Sequence, residues 1–327
     1  MWHTVDYAQV GRGHDKLLLP CQDKTITGYE NGVYTLGLAD GAGSAKYSHF
    51  GAETVLAAAR HFLSCHFDAL IESRDGRAVK AEVLGYLLKA LEAKRAELGC
   101  ELRDLASTIL FVAVKYDRCI ILHIGDGVIG MMKNNVLKAV SKPDNGEFAN
   151  TTVFVTSHSA LAAMRLLKGA TEGIEGFVLM SDGSAESFYQ KQSGRLAPVL
   201  GRIITAAAVT APKVMRREIQ GSFQVVIDNT QDDCSLAVMA KTSRALSRWL
   251  VLPPAQKRRM LGLSGGAASR KMLRVCGKMM QLLGKPKNAV YLAGRLRVSR
   301  DYMALCLDKL SQAGFIRKMR FDFYKIR

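Results

Sequence analysis

Four apolar, strand-like runs in this chain stop or start at an aspartate, and that recurrence constrains the fold more than any other feature. Residues 33–39 run into Asp40-Gly41-Ala42-Gly43-Ser44, 119–124 into Gly125-Asp126-Gly127, and 176–180 into Ser181-Asp182-Gly183. Thr230-Gln231-Asp232-Asp233 precedes a last run at 236–239. Apolar and β-branched runs of this length read as buried strands. Strands of alternating direction can bring such ends to one edge of a sandwich. Glycines beside an aspartate let a carbonyl and a carboxylate approach one point, because no Cβ stands in the way. Clustered carboxylates repel one another unless a hard cation neutralises them. An all-oxygen set without His or Cys favours Mg²⁺ or Mn²⁺ over zinc. The residues alone leave two readings open, a metal site or four unrelated turn aspartates.

Helical spacing appears between the first two of these runs. Phe50, Val55, Leu56, Ala59, Phe62 and Leu63, then Val83, Leu84, Leu87, Leu88 and Leu91, predict two amphipathic helices over 50–67 and 79–98 that cover a sheet. Residues 107–114 and 119–124 flank Lys115-Tyr116-Asp117-Arg118 as a hairpin, and 128–132 and 136–140 pair around Asn134-Asn135. A loop at 143–147, a strand at 152–155 and helices near 196–208 and 213–225 follow. Before a strand at 24–27, the pattern shows a polar loop, Gly11-Arg12-Gly13-His14-Asp15-Lys16, then Leu17-Leu18-Leu19-Pro20.

Charge divides the chain. The net charge is +17, yet residues 241–327 hold 21 Lys+Arg against 3 Asp+Glu, leaving 25 against 26 in the other 240 residues. A near-neutral body with a basic appendage is a two-domain signature and points to an acidic partner for the appendage. The 327 residues, 48% of them hydrophobic, suffice for two cores. Seven scattered cysteines with no Cys-x-x-Cys suit a reducing cytosol, not a disulfide framework or a zinc site. No apolar stretch has the length of a membrane span, and the N-terminus lacks the basic and apolar regions of a signal peptide. A cytoplasmic protein without a membrane partner is expected.

Taken in order, several motifs resemble one family: Cys21-Gln22-Asp23, Ala39-Asp40-Gly41-Ala42-Gly43-Ser44-Ala45, Ser107-Thr108 with Gly125-Asp126-Gly127, Glu147-Phe148-Ala149-Asn150-Thr151-Thr152, Met180-Ser181-Asp182-Gly183 and Asp232-Asp233-Cys234-Ser235. They are similar to the PPM-type, metal-dependent protein serine/threonine phosphatases, and within these to the bacterial branch, over residues 1 to about 241. The resemblance implies an α+β fold, an αββα sandwich of two antiparallel sheets flanked by helices, for a domain of residues 1–242. It implies that Asp40 bridges two Mg²⁺ or Mn²⁺ ions and that the Gly41 carbonyl binds one of them. Asp182 and Asp232 would complete the first metal site, and Asp126 would help hold a third ion. Asp23 and Gln22 would order metal-bound water from behind the ligands. Asp40, Asp23, Asp182 and Asp232 then form the catalytic set. Paired cations activate a bridging water that attacks phosphorus in line, so no cysteine or serine nucleophile is needed. The implied substrate is phosphoserine or phosphothreonine on a protein, with a serine/threonine kinase as counterpart. Two departures stand out. Gln22 replaces the Glu of many members, and Leu18 stands where many place an Arg that grips the substrate phosphate. Arg12, His14, Lys16 and Lys46 are candidates for that grip.

The tail reads as a basic linker, 243–270, and a small domain, 271–327. Helices over 271–283, 290–296 and 300–313, with Ser299 as an N-cap and Gly314 as a stop, precede strands at 315–317 and 321–326. This order resembles a winged helix-turn-helix. Arg297, Arg300 and Lys309, with Arg317, Lys318 and Arg320 on the wing, are candidate phosphate-backbone contacts. Docking to a protein partner or to the body stays open as well. The alternative function is a nucleic-acid-binding regulator whose phosphatase-like domain senses or scaffolds. The intact Asp40, Asp182 and Asp232 weigh against it. A third reading, an adaptor that binds phosphorylated partners without hydrolysis, fits less well without the usual Arg.

Overall fold

Why a chain with so few polar breaks in its strands folds as it does is clearest at strand β4, Ile109–Lys115. Ile109, Phe111 and Ala113 pack towards helices, while Leu110, Val112 and Val114 pack towards a second sheet. A strand covered on both faces has no reason to alternate. The computed structural model describes residues 1–134, 136–143, 152–208, 210–242, 249–250, 252–284, 286–319 and 322–326.

One five-stranded sheet holds, in spatial order, β2 (Lys24–Glu30), β3 (Val33–Ala39), β4, β5 (Arg118–Ile124) and β8 (Arg165–Ala170). The other holds β1 (Trp2–Gln9), β12 (Cys234–Lys241), β9 (Ile174–Met180), β6 (Val128–Lys133) and β7 (Val136–Ser141). Every pairing in both sheets is antiparallel. Leu36, Leu38, Phe177, Leu179 and Met239 fill the space between the sheets. Helices α2 (Ser48–Glu72) and α3 (Gly76–Leu98) cover the first sheet. α6 (Pro198–Ala207) and α7 (Pro212–Ser222) cover the second. The α+β architecture of two antiparallel sheets flanked by helices is the one the family resemblance implies.

Asp75 caps α3, accepting from the N–H groups of Arg77 and Ala78 at 2.9 Å, and Gly99 ends it with φ 62°. Gly51 lets α2 lie against the turn at 102–105, since a Cβ there would fall 2.0 Å from the Leu105 carbonyl oxygen. Strands β1 and β8 lie in stretches without a predicted strand. Residues 152–155 form no strand; there the Val155 N–H donates to the Ser107 carbonyl at 2.8 Å. Residues 144–151, with most of the Glu147-to-Thr152 motif, lie outside the described residues, as does Asn135.

His123 of β5 is buried, and its Nδ1 sits 2.6 Å from Ser141 Oγ while Nε2 has no partner. Burial, reinforced by Arg165, lowers its pKa to about 3. A histidine kept neutral in the fold but free to charge when unfolded loses stability as pH falls below the unfolded value near 6.5 and down to the folded one. We expect His123→Gln to flatten the pH dependence of urea unfolding between pH 6.5 and 4, a slope worth about 1.4 kcal/mol per pH unit at its steepest. Identical slopes in the two proteins would show that His123 is not the sensor.

The C-terminal region has its own core. Helices α9 (Pro254–Met260), α10 (Ala267–Leu282), α11 (Ala289–Leu296) and α12 (Arg300–Gln312) pack with a three-stranded sheet ordered β13 (Lys287–Asn288), β15 (Phe323–Ile326), β14 (Ile316–Lys318). Met272, Cys276, Met279, Leu292, Leu307 and Phe315 are buried in it, together with Trp249 and Leu261 from the stretch with linker composition. Trp249 meets Phe315 edge to face at 5.1 Å. Among the described residues, no helix is long and apolar enough to cross a membrane.

Candidate metal centre

Asp40 leaves β3 in a fixed pose because Thr108 holds it from both sides. The Asp40 N–H donates to Thr108 Oγ1 at 2.9 Å, and the Thr108 N–H donates to the Asp40 carbonyl at 2.8 Å. Next to it, the Gly41 N–H donates to the Gln22 carbonyl at 3.2 Å, and Gly41 bridges to Ser107. A Cβ on Gly41 would lie 2.8 Å from Ser48, so this turn requires glycine. Asp126 sits between Gly125, with φ 121°, and Gly127, and accepts a short hydrogen bond from the Thr152 hydroxyl. Asp182 opens α5 (Asp182–Phe188), with its Oδ1 accepting from the Gly183 N–H at 2.7 Å.

These three elements bring Asp40, Asp126 and Asp182 together, with a carboxylate oxygen of each within 4.8 Å of the others. Asp232 stands at the edge of this group, not within it. Its Oδ1 accepts from the Asp233 N–H at 2.8 Å, and its charge acts on both Asp40 and Asp182. The three clustered aspartates keep some exposure, yet burial dominates their electrostatics. Burial, then the charges of Asp23, Asp182, Asp232 and Asp126, holds Asp40 well above the carboxylate range. Burial and the charges of Asp126 and Asp232 push Asp182 up to about 6. Asp232 is raised by burial too.

Asp23 lies deeper, 2% exposed, and neither of its oxygens has a partner in hydrogen-bond geometry. Burial raises it to about 8, opposed by the nearby Ser181 and Ser235 hydroxyls, which approach without reaching that geometry. Gln22 Oε1 is buried and unpartnered as well. So many displaced carboxylates, with His14 beside Asp232 as the one cation-forming group acting on them among these shifts, are what a site for hard cations looks like before the cation is counted. The donor set fits a divalent metal, with Asp40, Asp126 and Asp182 to hold it and the Gly41 carbonyl beside them. Burial, then Asp23, pushes the thiols of Cys21 and Cys234 up, Cys234 to about 12, so neither is a thiolate nucleophile at neutral pH.

Asp233 is a residue whose role the motif reading misses. It is 1% exposed, and its two oxygens accept from the Gly11 N–H at 2.7 Å and the Gln22 N–H at 2.6 Å. His14 Nδ1 lies 3.0 Å from Oδ2, out of line for a hydrogen bond. The Gly13 N–H donates to the Gln231 carbonyl at 2.8 Å, and a Cβ on Gly11 would strike the Asp232 carbonyl at 2.0 Å. The loop from Gly11 to Gln22 is thus stapled onto the Asp232 loop. The available signal was the Asp-Asp doublet facing a Gly-x-Gly turn. Of the other candidates near the site, Arg12 donates through Nε to the Thr230 carbonyl at 3.1 Å, Lys46 lies over the Tyr47 ring at 4.9 Å, and Lys16 and Leu18 are exposed.

These features meet in a single family. Residues 10–221 match protein phosphatase 2C. The chain belongs to the protein phosphatase 2C family. Serine/threonine-protein phosphatase 3 of Escherichia coli (strain K12) is 28% identical over 169 residues, 50% of this chain and 66% of that protein, so the chain spans just under two thirds of this relative's length. A bacterial serine phosphatase crystal structure superposes with TM-score 0.53 at 14% identity, over 75% of this chain and 100% of that one. The serine/threonine phosphatase Stp1 from Staphylococcus aureus does so with TM-score 0.52 at 16% identity, over 74% and 96%. At these identities the structures share the protein phosphatase 2C fold. The family match ends at residue 221, before the C-terminal region.

In that region, Arg297 is exposed in a left-handed turn, φ 53°, between α11 and α12, and Arg300 is exposed at the start of α12. Ser299 caps α12 by accepting from the Tyr302 N–H at 3.2 Å. Arg317 is exposed, and Lys318 pairs with Asp322 at 2.7 Å. Lys309 donates to the Leu261 carbonyl at 3.0 Å, so its ammonium serves the packing of α9 against α12. Arg320 lies outside the described residues.

Proposed function

We propose that this protein hydrolyses phosphoserine and phosphothreonine on a protein substrate with the help of divalent cations. The observation that carries the reading is the convergence of Asp40, Asp126 and Asp182 from three separate strand ends. Asp40, Asp182, Asp232 and the Gly41 carbonyl would hold two Mg²⁺ or Mn²⁺ ions, with a third at Asp126. Bound there, the ions supply a nucleophilic water at neutral pH and neutralise the phosphoryl oxygens. The chain's own residues supply the rest. Thr108 fixes the backbone of Asp40, Gln22 fixes that of Gly41, and the buried, unpartnered oxygens of Asp23 and Gln22 would orient water. A serine/threonine kinase would be the counterpart enzyme, in a reducing, cytoplasmic setting. Hydrolysis of para-nitrophenyl phosphate with Mn²⁺ tests the reading: activity above that of Asp40→Asn is expected, and equal rates sink it.

The residues from Trp249 onward form a second unit in this reading, a winged helix-turn-helix joined to the phosphatase domain of residues 1–242. Support comes from α11, the Arg297 turn and capped α12 followed by a small antiparallel sheet, and from the surplus of basic residues after 240. Nucleic acid is the partner such a surface favours, through Arg297, Arg300, Arg317 and Lys318. Binding to random duplex DNA or RNA is expected to weaken steeply between 50 and 200 mM salt, by about 10-fold or more. Salt-independent binding, or none, would leave the unit as a protein-docking module.

A further inference from the structure

We propose that Ser181 and Ser235 are positioning residues of the metal centre, whose hydroxyls grip the carboxylate of Asp23 and so fix how Asp23 orders water there; this rests on the phosphatase reading above. The strand registers bring the three side chains together. In the first sheet, β2 and β3 pair Lys24 with Ala39, and the Gly41 N–H bonds to the Gln22 carbonyl, so the ladder sets Asp23 directly opposite Asp40. In the second, β9 and β12 pair Met180 with Leu236, and the Ser181 N–H donates to the Ser235 carbonyl at 3.4 Å, which sets Ser181 opposite Ser235. Side chains alternate along a strand, and residues directly opposite share a face. Leu36 and Leu38 of β3, Phe177 and Leu179 of β9, and Ala237 and Met239 of β12 fill the space between the sheets. Asp40 keeps step with the first pair, Ser181 with the second and Ser235 with the third. The layer between the sheets therefore ends, at one edge, in Asp23, Asp40, Ser181 and Ser235.

Ser181 and Ser235 are 1% and 0% exposed, beyond the reach of bulk water. Ser181 Oγ accepts from the Ser235 N–H at 3.1 Å, which leaves its own proton to donate. Ser235 Oγ has no partner, and neither has either oxygen of Asp23. Buried hydroxyls with protons to give and a buried carboxylate without a donor, placed at one edge, answer one another. The electrostatics agrees: burial disfavours the charge on Asp23, and both hydroxyls favour it. The Ser235 N–H, the Ser181 hydroxyl and Asp23 then form a chain in which each bond polarises the next. Ser181 precedes Asp182, and Ser235 lies on the strand that follows Asp232, so the two serines also tie Asp23 to both of these loops.

Mn²⁺ binding to the full chain, followed by the electron paramagnetic resonance of free Mn²⁺, tests this without relying on turnover, together with melting in EDTA. Ser235→Ala is expected to weaken Mn²⁺ binding about 10-fold, as one hydrogen bond to a charged group is lost. It should melt no lower than wild type in EDTA, because it removes a buried hydroxyl that has no partner there. Ser181→Ala should weaken Mn²⁺ binding to a similar degree and also melt lower, since the Ser235 N–H loses its acceptor. In Asp23→Asn, adding Ser235→Ala should change the affinity less than about 2-fold, because the serine acts through that carboxylate. Wild-type affinity in Ser235→Ala overturns the proposal, and so does an equal further loss in the Asp23→Asn background. A Ser235→Ala protein that melts several degrees lower in EDTA gives the hydroxyl a purely structural role and overturns it too. Mn²⁺ binding that depends on Ser235 in a protein that hydrolyses no phosphoester keeps the role of the serines and removes the phosphatase reading; hydrolysis with Mn²⁺ binding indifferent to Ser235 does the reverse.

Discussion

Asp182→Asn is expected to lower Mn²⁺-dependent phosphoester hydrolysis by about 10³-fold, a loss of several kcal/mol of transition-state stabilisation, and yet to raise the melting temperature of the metal-free protein. Both effects follow from one cluster. Asp182 shares its site with Asp40 and Asp126 within 4.8 Å, and burial with the neighbouring charges pushes its pKa up to about 6. Each unit of displacement is worth about 1.4 kcal/mol of unfavourable charge in the fold. Removing that charge should therefore return roughly 2–3 kcal/mol in EDTA at pH 8. Asparagine keeps a side-chain oxygen for the Gly183 N–H, which Asp182 holds at 2.7 Å, so the start of α5 should survive. For a domain of this size the gain is about 4–10 °C. Adding Mn²⁺ should reverse the order, because wild type gains binding energy that the variant has lost. Differential scanning fluorimetry in EDTA and in Mn²⁺ checks this. Melting curves that keep the same order in both conditions would mean that the carboxylates are not a metal site.

Much of this was legible because burial on both faces leaves a plain mark. β4 reads as an unbroken apolar run since helices cover one face and the second sheet the other. The aspartates at Asp40, Asp126 and Asp182 were legible because each interrupts such a run. β1 was not, since only Trp2 and Val5 of its eight residues are buried and they do not alternate. Residues 152–155 misled in the other direction: Val153 and Val155 are buried in the first core, Thr152 bonds Asp126 and Val155 ties to Ser107, with no ladder. Basic composition hid Trp249 and Leu261, which sit among Lys and Arg in the sequence but in the C-terminal core in space. Lys309 looks like a solvated helix cation until its bond to the Leu261 carbonyl, 48 residues away, is seen. Asp233 was hidden for the same reason, as both its backbone partners lie more than 200 residues upstream.

That distance is why Asp233 carries the second large prediction. A carboxylate offers an acceptor on each oxygen, and Asp233 uses them on two different N–H groups, at 2.7 and 2.6 Å. Alanine leaves both donors buried and unpaired. Asparagine is scarcely better, since its amide oxygen can accept from one N–H while its NH₂ faces the other. Hydrogen bonds to a charged group contribute about 1.5–3 kcal/mol each, so both variants should lose roughly 3–5 kcal/mol of stability. The damage should also reach the chemistry through a connected path: Asp233 holds Gln22, the Gln22 carbonyl holds the Gly41 N–H, and Gly41 follows Asp40. We expect kcat to fall by about 10²-fold in Asp233→Asn although no proposed ligand has changed. His14→Ala separates the hydrogen bonds from the His14 contact. His14 is part-exposed and out of line with Asp233, so its loss should cost less than about 1 kcal/mol. Chemical denaturation of the three variants decides the matter: if His14→Ala costs as much as Asp233→Asn, the His14 contact holds the loop and the two hydrogen bonds are incidental.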